Sequence, residues 1–240
     1  MPKRTAAGIV TALRPPFRSA HVNNLQDYFS LDYDQERHDF VPKFEGSRFE
    51  FLDGGGDKPN VADEITAADL AAVTCLGVDV PEGAMLRMLE GTDARKIREL
   101  LKEIPTGVDL HSHSDNPLGS ASKAWAVWDI INAPNGMGRT TTSKILARKR
   151  PQLIPILDSV VVCALALSDT NAWDDIFQFM TQNYCAVVDE LKVIQAAAAL
   201  THGDVGRISL LRVFDIIVWQ QHRSECTRKS NCPGSSIFSS

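Results

Sequence analysis

The sequence predicts a mainly α-helical protein with a less regular N-terminal third. After residue 65, apolar residues recur at the three- and four-residue spacing of a buried helix face. Hydroxyl and carboxylate residues that cap helices, and prolines and glycines that end them, bound most of these segments. Before residue 65, prolines, polar residues and a run of three glycines are typical of irregular structure, with one short strand expected at residues 48–52.

Three regions follow from this pattern. Residues 1–65 are predicted to form an irregular segment that packs on a helical body through aromatic residues such as Tyr28 and Phe29. Residues 66–224 are predicted to form the helical domain, and residues 225–240 a disordered tail. The expected helices begin at Thr66, run from about 81 to 91, from 92 to 104 and from 122 to 132, and continue from 139, 158, 171 and 208.

Composition excludes several classes of protein. The chain has 240 residues and a net charge of −5, which argues against a protein that coats nucleic acid by bulk charge. This net charge does not exclude a local basic patch that binds nucleic acid. No apolar run reaches about 18 residues, and the N-terminus lacks the apolar core of a signal peptide, so we expect no membrane span and a cytoplasmic location. The five scattered cysteines favour a reducing compartment over a disulfide framework.

Two groups of cysteine, histidine and aspartate residues are candidates for binding a metal ion. Cys226 and Cys232 lie near each other, but a metal site needs more than two ligands, so we expect no metal there. In "DLHSHSD", residues 109–115, two aspartates alternate with His111 and His113, which a strand would place on one side. The serines and the following Asn-Pro favour a loop with solvated histidines instead.

The stretch "GMGRTTTSKILARKRPQLIPILDS", residues 136–159, carries the strongest functional signal. Gly136 and Gly138 flank Met137, so the backbone turns tightly while Met137 packs into the core and a new helix begins at about Arg139. The unpaired amide groups and the dipole of that helix end favour an anion. Further donors and positive charge come from Thr140, Thr141, Thr142, Lys144, Arg148, Lys149 and Arg150.

Two interpretations of this stretch stay open. In one, these residues hold a phosphate of nucleic acid without reading its bases. In the other, they form a solvated helix face behind a glycine turn. Asp158 has the same ambiguity: it is a good N-terminal cap for the helix that follows, and its carboxylate also suits the stabilisation of positive charge on a sugar ring during cleavage of a base–sugar bond.

The glycine turn, the threonine-rich helix and "PILD", residues 155–158, resemble the helix-hairpin-helix DNA glycosylases, most closely those acting on adenine mismatches. The resemblance implies a glycosylase-like helical domain whose Gly136, Gly138 and amides near Thr140 grip a DNA phosphate, with a monovalent cation at the hairpin. It implies that Asp158 is the catalytic residue. Trp125 and Trp128 are candidates for stacking on a base, although their helical spacing favours the core.

The chain departs from this family at two places. Bifunctional members carry a lysine where this chain has Thr140, so we expect no lyase activity by that route. Members with an iron–sulphur cluster carry four closely spaced C-terminal cysteines, whereas this region has Cys226 and Cys232, so we expect no such cluster. The resemblance covers about 25–45 of the 240 residues, less than a fifth of the chain.

As a whole the chain resembles an uncharacterised family of actinobacterial proteins. The cues are "FLDGGGDKPNVADEITAADLAAV", "TSKILARKRPQLIP" and "ISLLRVFDIIVW". This resemblance implies no activity, but it makes Asp57 and Lys149 weak site candidates. Three hypotheses follow: a monofunctional DNA N-glycosylase, a non-catalytic nucleic-acid-binding module, or the same fold acting on a nucleoside-like small molecule. DNA is the expected partner in the first two.

Overall fold

Helices form most of the chain, and a single two-stranded hairpin lies near its N-terminus among the described residues. The computed structural model describes residues 5–133, 137–168, 170–182, 185–227 and residue 232. The elements in chain order are α1 (Ala6–Leu13), α2 (Arg18–Tyr28), β1 (Leu31–Asp34), β2 (Asp39–Pro42), α3 (Ala67–Thr74), α4 (Glu82–Leu89), α5 (Gly91–Lys102), α6 (Lys123–Ile131), α7 (Arg139–Lys149), α8 (Ser159–Leu165), α9 (Ala172–Thr181), α10 (Ala186–Ala199) and α11 (Leu210–His222). The prediction of a mainly helical fold is confirmed.

Side-chain caps determine where several of these helices begin. Thr66 accepts from the backbone of Asp69, and the Asp69 carboxylate accepts from the backbone of Thr66, which closes a capping box at the start of α3. Ser122, Asp158 and Ser209 accept from the first turns of α6, α8 and α11. These caps are local in sequence, which explains why the helix starts were predictable.

The chain divides into two compact units. The first unit comprises residues 1–44 and 158–240, and the second unit comprises residues 45–157. These limits differ from the predicted boundary at residue 65, because α1, α2 and the β-hairpin belong with the C-terminal helices. Of the tail predicted to be disordered, residues 228–231 and 233–240 lie outside the described residues.

The first unit is built around α10 and α11. α10 packs on α1, α2 and α9, and α11 packs on α2, α8 and α10. β1 and β2 pair antiparallel, with Leu31 opposite Pro42 and Asp34 opposite Asp39. The hairpin is largely exposed, and Tyr33 and Phe40 contact each other edge to face on it.

The second unit contains α3 to α7. α5 packs on α4 and α6, while α7 packs on α3 and α6. The strand predicted at residues 48–52 is wrong, since this region forms two short 3-10 turns and Asp53 has a positive φ of 49°. The reason is tertiary: the carbonyl groups of Phe49 and Leu52 accept hydrogen bonds from a buried arginine rather than from a neighbouring strand.

Of the described helices, none combines the length and the apolar character needed to cross a membrane.

Candidate functional site

The predicted turn between α6 and α7 is described on both sides of residues 134–136. Asn132 caps the end of α6, and α7 begins at Arg139, as predicted. Met137 is 8% exposed, which confirms its expected position in the core. Gly136, expected to contact phosphate, lies outside the described residues.

Among the described residues of the predicted phosphate grip, those that reach the surface lie at the start of α7. Gly138 is exposed, precedes the helix in an extended conformation and has no side chain to cap it. Arg139 and Thr140 are half-buried, and the Thr140 hydroxyl donates to the Leu157 carbonyl oxygen at 3.1 Å. Thr141 is buried. Backbone amides, rather than threonine hydroxyls, are therefore the donors that this helix end offers to an anion.

Four basic residues expected to contact phosphate are buried in the second unit. Lys144, Arg148, Lys149 and Arg150, here called the basic cluster, are each at most 2% exposed. Lys144 illustrates the arrangement, since its Nζ donates to the carbonyl oxygen of Leu76 at 2.9 Å. The expected position of these four side chains at the surface is wrong, because protein oxygens already engage them and they present no charge to an external phosphate.

Arg148 and Lys149 share the carboxylate of Asp69. Arg148 Nε lies 3.3 Å from Asp69 Oδ1, and Lys149 Nζ lies 2.8 Å from Oδ2. The terminal nitrogens of Arg148 also donate to the carbonyl oxygens of Phe49 and Leu52. One buried carboxylate thus faces two buried cations, and backbone dipoles supply the remaining stabilisation.

Arg150 is held in a second ring of oxygen atoms. It donates to the carbonyl oxygens of Ala62 at 2.7 Å and Ile104 at 2.8 Å, and to that of Leu101. Its carboxylate partner is Asp63, at 2.9 Å, which is 45% exposed. Arg150 therefore fastens the residues before α3 to the end of α5.

The glycine-rich loop at residues 54–57 closes over this cluster. A Cβ atom at Gly56 would lie 2.6 Å from the Arg148 carbonyl oxygen and 2.6 Å from Asp69 Oδ1, closer than any real contact. Only glycine fits there without displacing the backbone. The two sequence cues, the glycine loop and the "ARKR" segment, are thus parts of one packed structure, and no phosphate is needed to explain the glycine.

Burial affects the protonation of two residues of the basic cluster, Lys149 and Arg150. Burial lowers the pKa of Lys149, while the nearby Asp69 carboxylate opposes that change. Burial likewise lowers the pKa of Arg150, opposed by Asp63 and by the charge of Asp57. Lys149, one of the two weak site candidates, is therefore part of a buried ion-pair network, whereas Asp57, the other, is half-buried in the glycine-rich loop.

Asp158 caps α8 in the first unit. Its Oδ1 accepts a hydrogen bond from the Val160 amide at 2.9 Å, and the side chain is half-buried. Leu157, the preceding residue, is held within the second unit, where its amide donates to Ser143 Oγ at 2.9 Å. The predicted cap role of Asp158 is confirmed, and its catalytic role stays a prediction.

The two tryptophans of α6 lie against each other. The Trp125 and Trp128 rings stack with centroids 5.9 Å apart and an angle of 12° between their planes. Trp128 is 6% exposed, so it belongs to the core as its spacing favoured, while Trp125 is half-buried.

A cluster of cysteine and histidine side chains in the first unit was missed from the sequence. The ligand atoms of Cys163, His222, Cys226 and Cys232 all lie within 4.8 Å of one another. His222 Nε2 lies 3.3 Å from Cys163 Sγ and 3.4 Å from Cys232 Sγ. Burial raises the pKa of the Cys163 thiol, and the neighbouring cysteines raise it further. We call these four residues the cysteine–histidine cluster.

Among the described residues this is the only set of three or more such side chains that converges. Asp109, His111, His113 and Asp115 are not part of such a set, and residues 110–112 form a short 3-10 turn. Among the cysteines of the sequence, only Cys226 and Cys232 lie close enough together to suggest a shared site. Cys163 precedes His222 by 59 residues, so its place in the cluster depends on tertiary structure. The close spacing of His222, Cys226 and Cys232 is the feature of the sequence that indicates a shared site.

One protein-family model matches most of both units. A model described as a family of unknown function, DUF6308, matches residues 21–222. The chain belongs to this family. The match includes α7, the glycine-rich loop, Asp158, Cys163 and His222, and it ends before Cys226. No curated protein and no solved structure matches the chain.

Proposed function

We propose that this DUF6308 protein binds nucleic acid, DNA in the first instance, by gripping a backbone phosphate at the N-terminus of α7. The observation that carries the proposal is the start of this helix. It begins after an exposed glycine with no side-chain cap, and the half-buried Arg139 is the one basic residue from 137 to 150 that is not fully buried. The backbone N–H groups of the first helical turn, the helix dipole and an adjacent guanidinium together favour a phosphate.

The proposed activity is hydrolysis of a base–sugar bond, in which Asp158 stabilises the sugar. As the bond between C1′ and the base nitrogen breaks, its electron pair leaves with the base and positive charge develops on the sugar ring. An ionised carboxylate lowers the free energy of that transition state. Water then adds to C1′, and the proton it loses completes the released base.

A non-catalytic binding module is the second candidate, favoured by the hydrogen bond between Asp158 and the Val160 amide. A helix cap explains an aspartate at this position without any chemistry. The burial of the basic cluster favours neither candidate, because it removes the same four charges from both.

A pair of substitutions at Gly138 tests the phosphate grip. Gly138 has φ −95° and ψ 162°, which any residue adopts, and a Cβ atom there meets nothing within 4 Å. Gly138→Asp and Gly138→Asn both supply a cap to α7, but only the aspartate brings a negative charge to the anion site. We expect Asp to weaken binding of a short DNA duplex about tenfold or more, and Asn much less.

Substitution of Arg139 is an independent test of the phosphate grip. Arg139→Gln is expected to weaken binding at every sequence and to reduce the slope of log affinity against log salt by about one. Arg95→Gln, which changes an exposed arginine elsewhere in the second unit, is the matched control. Equal binding by both Gly138 variants and by Arg139→Gln would refute the grip at α7, and binding insensitive to salt would favour a small-molecule ligand.

Asp158→Asn separates the two candidates. Asparagine keeps the cap on α8 but removes the negative charge, so folding is retained. If the protein is a glycosylase, wild type releases bases from alkylated, oxidised or deaminated duplexes, and Asp158→Asn does not, although it still binds DNA. Base release is measured by mass spectrometry. Absence of release from every substrate, with salt-sensitive binding, supports the binding module. Release that survives in Asp158→Asn contradicts the proposed role of this carboxylate.

A further inference from the structure

The cysteine–histidine cluster has the ligand set of a tetrahedral metal site. Three thiols and one imidazole converge within 4.8 Å of one another. Zinc binds cysteine sulphur at about 2.3 Å and histidine nitrogen at about 2.0 Å, so a tetrahedral ion separates a sulphur ligand from a nitrogen ligand by about 3.5 Å. The two sulphur–nitrogen distances of 3.3 and 3.4 Å are close to that value.

The elements that carry these residues bring them together from three places in the first unit. Cys163 lies in α8, which packs on α11, and His222 is the last residue of α11. The Cys226 amide donates to the His222 carbonyl oxygen at 2.8 Å, so the chain continues for one more turn and returns Cys226 to the side of His222. Cys232 completes the set from the C-terminal segment.

Two of the four side chains are buried, and those of Cys163 and Cys226 are half-buried. His222 is 0% exposed and Cys232 is 3% exposed. All five cysteines of the chain lie in its described part, and none forms a disulfide. Thiols donate and accept only weak hydrogen bonds, so the imidazole receives weak compensation for its burial from the two sulphurs beside it. A cation bound between the four side chains would satisfy them all.

We propose that Cys163, His222, Cys226 and Cys232 bind one zinc ion, which links Cys226 and Cys232 to α8 and α11. Three sulphur atoms and one nitrogen are the donors that zinc prefers in structural sites, and four protein ligands leave no coordination position for water or substrate. A single ion fits ligand atoms this close together, whereas a cluster of several irons holds its thiolates farther apart. On binding, each of the three thiols gives up its proton to solvent, and the site carries a net charge of −1.

The first test is made on the unmodified chain, purified without chelator and with thiols kept reduced. Elemental analysis is expected to find one zinc per chain. Cobalt(II) exchanged into the site is expected to give the intense visible spectrum of a tetrahedral thiolate complex. Less than about a tenth of an equivalent of zinc after incubation with zinc and dialysis, iron in place of zinc, or a disulfide among the three cysteines would each overturn the proposal.

Substitutions identify the ligands. Cys226→Ser and Cys232→Ser are expected to lose most of the zinc and the cobalt spectrum, and to unfold at a lower temperature. Cys185→Ser is the matched control, because Cys185 is a half-buried cysteine of the same unit outside the cluster, and it is expected to keep both. Wild-type zinc content in both ligand variants would overturn the assignment. Chelation is expected to lower the melting temperature of wild type to that of Cys226→Ser.

The proposed zinc site and the proposed phosphate grip are tested by independent measurements. Cys226→Ser is read by metal content, whereas Gly138→Asp is read by DNA affinity, and each variant is expected to leave the other measurement unchanged.

Discussion

Asp69 carries the carboxylate that two buried cations of the second unit share, so a single substitution there changes both ion pairs. Its side chain is 1% exposed and lies against Arg148 and Lys149, whose side chains are 1% and 0% exposed. Asp69→Asn keeps the volume and leaves an oxygen that accepts from Thr66. It removes the only carboxylate that the described residues place against these two cations.

The expected cost follows from that geometry. At an effective dielectric constant of about 20, unit charges separated by 2.8 Å and 3.3 Å attract by about 6 and 5 kcal/mol. Backbone carbonyls still accept from both cations, so part of this energy is retained in the variant. Removing one member of a buried ion pair costs about 3–5 kcal/mol, a large fraction of the 5–15 kcal/mol that typically stabilises a domain.

Urea unfolding followed by circular dichroism measures this cost. Asp63→Asn is the control, because Asp63 also pairs with a buried arginine but is itself 45% exposed, and it is expected to cost less than about 1 kcal/mol. If Asp69→Asn instead unfolds within about 1 kcal/mol of wild type, the carbonyl groups alone satisfy the two cations and the argument is refuted.

The pH dependence gives a second readout of the same variant. Burial lowers the pKa of Lys149 below 10.5 in the folded protein, and loss of the Asp69 charge lowers it further. Between the folded and the unfolded pKa the unfolded chain binds more protons, so stability rises with pH. The deficit of Asp69→Asn is therefore expected to shrink as the pH is raised towards 10.5.

Three further predictions concern packing and titration. Gly56→Ala forces a Cβ atom into the Arg148 carbonyl oxygen and is expected to cost about 1–3 kcal/mol in urea unfolding, whereas Gly83→Ala, where a Cβ meets nothing, is expected to be neutral or stabilising; equal effects would contradict the close contact. Burial lowers the pKa of His21, opposed by a hydrogen bond to a backbone carbonyl, so wild type is expected to lose stability as the pH falls below 6.5, and His21→Gln to lose less. Burial raises the pKa of Glu190, but two arginines outweigh it and the net pKa is lowered, so its contribution is present above pH 4.5 and lost as the pH falls through the lowered value. Glu190→Gln is expected to flatten that acid-induced loss in a thermal unfolding series, and an unchanged profile would contradict the pairing.

Local signals explain which parts of the fold could be predicted. The capping box of Thr66 and Asp69, the apolar face of α5 and the boundaries of the turn around Met137 depend on residues a few positions apart. The strand expected at residues 48–52 failed because its alternation was also compatible with 3-10 turns. The choice between them depends on an arginine about a hundred residues later.

The sequence by itself determined the helical class, the start of α7 after Gly138, the cap at Asp158 and the family to which the chain belongs. Only the tertiary structure decided the environment of the charged and sulphur-bearing side chains. A run of lysine and arginine has the same pattern whether it faces water or a ring of carbonyl groups, since those carbonyls come from distant loops. The cysteine–histidine cluster required α8 to pack on α11, and this packing brings Cys163 to residues that the chain supplies much later.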